Sequence, residues 1–79
     1  MTDHALSRLI SRVQPQHVLL VSRLLAIAGK YDNAAIASHV SRKCSLVVIV
    51  RFGDVRTVFY RESYRVTTSK LNVSQVVTL

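Results

Sequence analysis

Apolar positions recur along this chain first at helical and then at strand spacing, and the change of period divides it in two. Leu6, Leu9, Ile10 and Val13 mark one face of a helix, while Ser7, Arg8, Ser11 and Arg12 occupy the other. With Thr2 or Asp3 as N-cap, this predicts a helix over residues 3–13. Gln14-Pro15 breaks it, and Pro15 suits the first turn of a second helix over residues 16–29, stopped by Gly29. Val18, Leu19, Val21, Leu24, Leu25, Ala26, Ile27 and Ala28 make that helix apolar nearly all round, which assigns it to the centre of the domain or to a subunit interface. Asp32 or Asn33 then caps a third helix over residues 33–43. Ala35, Ile36, Val40 and Ala37 face inward from it, leaving Ser38, His39, Ser41, Arg42 and Lys43 outside.

After Cys44 the apolar residues become β-branched and near-continuous, and residues 45–61 predict a hairpin. With Gly53 and Asp54 at the centre of a type II′ turn, Phe52 pairs with Val55, Arg51 with Arg56, Ile49 with Val58 and Val47 with Tyr60. Leu46, Val48, Val50 and Phe52 then share one face with Val55, Thr57 and Phe59, and Val47, Ile49, Val58 and Tyr60 share the other. Both faces are apolar. One covers the helices, and the other requires a further element or a second subunit, because an exposed apolar sheet aggregates. Residues 64–68 offer a third strand, and the tail over 69–79 alternates as a strand that completes the sheet, exchanges with another subunit or frays. The expected fold is a single α+β domain over residues 1–79, with three N-terminal helices followed by the antiparallel hairpin.

Charge narrows the range of partners. Eleven Lys and Arg against 4 Asp and Glu give a net charge of +7, dispersed from Arg8 to Lys70 and set in a chain that is 49% hydrophobic. That combination describes a folded surface studded with cations, which attracts phosphates, anionic membranes or acidic proteins. A chain of 79 residues buries a modest fraction of its surface, so a homodimer is expected. Arg51 opposite Arg56 would cost roughly 0.2–1 kcal/mol as a like-charged cross-strand pair, and an anionic partner would offset it. The single Cys44 excludes an internal disulfide framework and fits a reducing cytoplasm, of a cell or of an infected host. The apolar run over residues 18–28 is interrupted by Arg23 and is too short for a transmembrane helix, and the N-terminus lacks the form of a secretory signal.

The residues that carry chemistry give no enzyme. Asp3, Asp32, Asp54 and Glu62 each sit at a cap, a turn or a strand end, so no paired acid and base is formed. His4, His17, His39 and Cys44 have no zinc-type spacing, and two glycines cannot build a phosphate loop; no cofactor or metal is implied. Ile36-Ala37-Ser38-His39-Val40-Ser41-Arg42 and the strand Val55-Arg56-Thr57-Val58-Phe59-Tyr60-Arg61 resemble, over about half the chain, a helix-turn-helix unit and its returning wing strand. The order of helices followed by a basic hairpin is similar to that of winged helix-turn-helix proteins and of small phage regulators of the Cro type.

That resemblance implies a basic protein that binds double-stranded DNA as a transcriptional or replication regulator of phage or plasmid type. Its reading helix lies either over residues 42–51 or over residues 33–43. Arg42, Lys43, Arg51 and Arg56 are expected on phosphates, with His39, Ser38 or Asn33 nearer the bases and Ser41 among the residues a reading helix over 33–43 offers. Phe52 and Phe59 are expected in the core rather than stacked on single strands. A second reading is an interaction protein or inhibitor that docks on an acidic host protein through the apolar hairpin and tail. A third is association with a membrane surface through the first two helices.

Overall fold

A computed structural model describes residues 3–62 and 71–79. Helix α1 (Asp3–Ile10) is followed by a single 3-10 turn (Pro15–His17) that leads into helix α2 (Val18–Ala28). Strands β1 (Asn33–Ser41), β2 (Cys44–Arg51) and β3 (Asp54–Arg61) form an antiparallel meander. Strand β4 (Gln75–Thr78) returns to the far side and pairs with β1 in parallel, giving the sheet order β3-β2-β1-β4. The architecture is α+β, with a four-stranded mixed sheet.

The two central strands explain the long apolar run. Residues 45–50 of β2 are all buried, because β2 has a neighbour on each edge and cover on both faces. On one face Ile36, Leu46, Val48, Val50, Val55 and Val58 pack with Val13, Val21, Leu24 and Ala28 from the helical half. On the other, Ala35, Ala37, Val47 and Ile49 pack with Val73, and Leu71, Phe59 and Val76 join them. The second face is therefore covered by residues that lead into β4. The tail is an ordered strand, and the cover expected from a further element comes from the same chain.

Several expectations are corrected. The segment assigned to a third helix is strand β1, so the described residues contain two α-helices before the sheet. Alanine favours a helix locally, but here β2 and β4 pair with both edges of the segment, and tertiary pairing overrides propensity. Both placements of a reading helix fall with it, since residues 33–41 form β1 and residues 44–51 form β2.

The hairpin has the predicted strands but another turn. Phe52 and Gly53 are its two central residues, with φ of 54° and 76°, so it belongs to type I′ rather than type II′. Its amides also bind the loop after α2: Phe52 N–H donates to the Asp32 carbonyl, and Gly53 N–H to the Tyr31 carbonyl at 2.9 Å. These bonds anchor the turn to its neighbour and hold it one residue away from the expected position.

The moved turn and a bulge beyond it together change every pair. Arg51 lies opposite Asp54, Val48 opposite Val58, Val47 opposite Phe59 and Leu46 opposite Tyr60, while Arg56 is the extra residue of a β-bulge. Arg51 and Arg56 are not a cross-strand pair. Val58 and Tyr60 join Leu46, Val48 and Val50 on the helix side, Phe59 joins Val47 on the other, and Phe52 stands 85% exposed at the tip.

Helix α2 is a cover with one buried side rather than a central helix. Val21, Leu24 and Ala28 are buried, whereas Ser22, Arg23 and Ala26 are exposed and Leu19 is 79% exposed. Neither described helix is long and apolar enough to cross a membrane. The third strand expected over residues 64–68 lies outside the described residues.

Candidate nucleic-acid interface

The eight residues expected to meet nucleic acid divide between opposite ends of the sheet. Ser38, His39, Ser41, Arg42 and Lys43 lie along the end of β1 and in the β1–β2 turn. Asn33, Arg51 and Arg56 lie toward the other end, roughly 23 Å away along β2 at 3.3 Å per residue.

At the first end, a β-bulge at Val40 lets β1 turn into β2, and Ser41, Arg42 and Lys43 are all exposed. Ser38 is only 9% exposed on the helix side of the sheet, which removes it from contact with a partner. His39 is exposed on the opposite side, and its Nδ1 shares a hydrogen bond of 3.0 Å with the Ser45 hydroxyl. Ser45 is 2% exposed, too enclosed to meet a substrate, so the pair orients the imidazole and does not form an accessible nucleophile. When the hydroxyl donates to Nδ1, the proton on Nε2 is left for an outside acceptor.

Arg61 completes this group, and the sequence reading did not single it out. It pairs with Ser45, which pairs with His39, so His39, Ser45 and Arg61 form a row across three strands on one face. Its side chain is half-buried, and its Nε is buried without a hydrogen-bond partner among the described residues. The parity of positions along β2 and β3 carries this signal, but only once the turn is placed at Phe52-Gly53 and the bulge at Arg56.

The other end is occupied by its own contacts. Arg51 donates from Nη1 to Asn33 Oδ1 and from Nη2 to the Asn72 carbonyl at 2.9 Å, while Asn33 Nδ2 donates to Ser74 Oγ at 3.0 Å. Asn33 and Arg51 thus clamp the entry to β4. Arg56 is exposed on its bulge.

A cleft of about 510 Å³ opens on the helix side beneath the β1–β2 turn, lined in part by His17, Ser41, Cys44, Tyr60 and Glu62. The Tyr60 hydroxyl accepts from the Gln14 amide at 2.9 Å and bonds His17 Nδ1 at 2.7 Å, which fastens the 3-10 turn to β3. Among the described residues no three His, Cys, Asp or Glu side chains gather as metal ligands would.

The described surface is strongly cationic. Arg8, Arg12, Arg23, Lys30, Arg42, Lys43 and Arg56 are exposed, against the exposed carboxylates of Asp32 and Glu62. The hairpin and tail, by contrast, place most of their apolar residues inside, and the exposed large apolar side chains among the described residues are Leu19, Phe52 and Leu79. Comparison with protein families, with curated proteins and with solved structures finds no match for this chain.

Proposed function

We propose that the protein binds nucleic acid through the phosphate backbone, with the β1–β2 turn as its principal contact. The observation that carries this reading is the juxtaposition of Arg42 and Lys43 with exposed His39 and Ser41, on a surface where exposed cations greatly outnumber exposed carboxylates. Arg42 and Lys43 supply charge, and the His39 imidazole, held by Ser45, supplies a directed hydrogen bond to a phosphate oxygen. Arg56 and the cations of α1 and α2 extend the attractive field.

Base readout by a helix does not enter the proposal, because Asn33, Ser38 and His39 stand on a strand, with Ser38 buried and Asn33 bonded to Arg51 and Ser74. Contact with phosphates makes the protein a candidate regulator or accessory factor for nucleic acid of either strandedness. Its expected site of action is the cytoplasm.

Titration into labelled random duplex and single-stranded DNA at low and moderate salt tests the reading, with the mass measured in parallel to test the expected homodimer. Affinity should fall steeply with salt, and replacing Arg42 and Lys43 with Ala should reduce the slope of log affinity against log salt by nearly two, at about 0.9 per phosphate neutralised. Absence of binding to either DNA at low salt refutes the proposal.

A further inference from the structure

We infer that Phe52 is a stacking platform for an unpaired nucleobase, so that the nucleic acid this protein holds is single-stranded. The inference rests on the proposed binding of phosphates and adds what selects among nucleic acids. Phe52 occupies the first central position of a type I′ turn with φ of 54°, a conformation that bulky side chains rarely adopt. Packing does not explain its presence, because the ring is 85% exposed.

The surrounding backbone nevertheless fixes it. The N–H groups of Phe52 and Gly53 donate to the carbonyls of Asp32 and Tyr31, so the turn is held by both its strands and the loop after α2. An aromatic ring presented to solvent on a fixed turn loses little freedom when a base stacks on it.

Charge supplies the second half of the argument. Lys30 adjoins Tyr31 in the loop that holds the turn, and Arg56 stands on the bulge of the returning strand; both are exposed. An exposed ring with an exposed cation on each of the two segments that adjoin its turn matches a base and its neighbouring phosphates. A duplex offers phosphates but keeps its base faces stacked, so it engages the cations without the ring. A lipid surface fits less well, because the tip carries a single large apolar side chain.

The test compares the wild-type protein with Phe52→Asn and Phe52→Tyr in anisotropy titrations against a labelled oligodeoxyadenylate, a duplex of equal length and phosphatidylserine vesicles. Asn suits the backbone at this position, so the variant folds. Wild type should prefer the single strand; Phe52→Asn should weaken that binding roughly ten- to hundredfold while duplex affinity stays within about twofold, and Phe52→Tyr should restore it. Unchanged single-strand affinity in Phe52→Asn overturns the inference and leaves phosphate binding standing. An equal loss for single strand and duplex, or a loss confined to vesicles, also overturns it. A wild-type protein that binds neither nucleic acid overturns the phosphate reading itself.

Discussion

Replacing Phe52 with Asn should stabilise the fold, although it removes an aromatic residue from a hairpin. Phe52 has φ of 54°, and a left-handed conformation costs an ordinary L-residue roughly 1–2 kcal/mol. Asn is enriched in that region and favoured before Gly in type I′ turns, so it recovers part of this cost, about 0.5–1 kcal/mol. The loss on the other side is small. Full burial of a Phe side chain is worth about 1.5–3 kcal/mol, but Phe52 is 85% exposed, so removing the ring forfeits only about 0.2–0.5 kcal/mol.

The net gain is about 0.5 kcal/mol, which raises Tm by roughly 2–4 °C in a domain of this size. Urea unfolding should show a higher midpoint with an unchanged slope. The opposite sign refutes the turn assignment. Were Gly53 and Asp54 the central residues, position 52 would be a strand position, where Asn is disfavoured, and the substitution would destabilise. Gly53→Ala should destabilise by about 1–2 kcal/mol for conformational reasons alone, because a Cβ there meets the Gly29 carbonyl oxygen at an unstrained 3.6 Å.

Two further substitutions probe the contacts that join distant segments. Arg51→Ala removes the bonds to Asn33 and to the Asn72 carbonyl; it should cost about 1–2 kcal/mol after allowance for partial exposure, and hydrogen exchange should accelerate in β4 before β2. Tyr60→Phe removes the hydroxyl shared by Gln14 and His17. It should cost about 1 kcal/mol and shift the imidazole NMR signals of His17 while leaving those of His39 in place.

The strongest periodic signals in the sequence correspond to real elements, and the failures have a common physical form. The first two helices, the two hairpin strands and the alternating tail are visible because the apolar pattern of each is set by its own burial. Strand β1 was hidden because Ala34, Ala35 and Ala37 are locally good helix formers, and Ile36 and Val40 stand at helical spacing. Its strand identity comes from partners far along the chain: β2 on one edge, and β4, nearly forty residues later, on the other. The same alanines are informative once the sheet is known. Ala35 and Ala37 present small side chains to the face where Leu71 and Val73 pack, and larger residues there would push that cover away.

The candidate site was harder to read than the fold because it depends on register. Gly53-Asp54 fits a two-residue turn by composition, but the loop after α2 offers two carbonyls that recruit the amides of Phe52 and Gly53. The resulting shift of one residue, together with the bulge at Arg56 that follows it, reverses the facing of β3 relative to β2 beyond the bulge. It removes the opposed Arg51 and Arg56 that first suggested an anionic partner, and makes Arg51 a structural clamp on Asn33 and Asn72. The bulge sets Arg61 opposite Ser45, and the moved turn takes Phe52 out of the core into solvent. The basic excess survives this change because it belongs to composition, whereas the identity of each contact residue belongs to the turn. What favours a nucleic-acid partner is therefore no longer two repelling arginines but exposed cations around an imidazole held by Ser45 at one end of β2, and an aromatic ring on a fixed turn at the other.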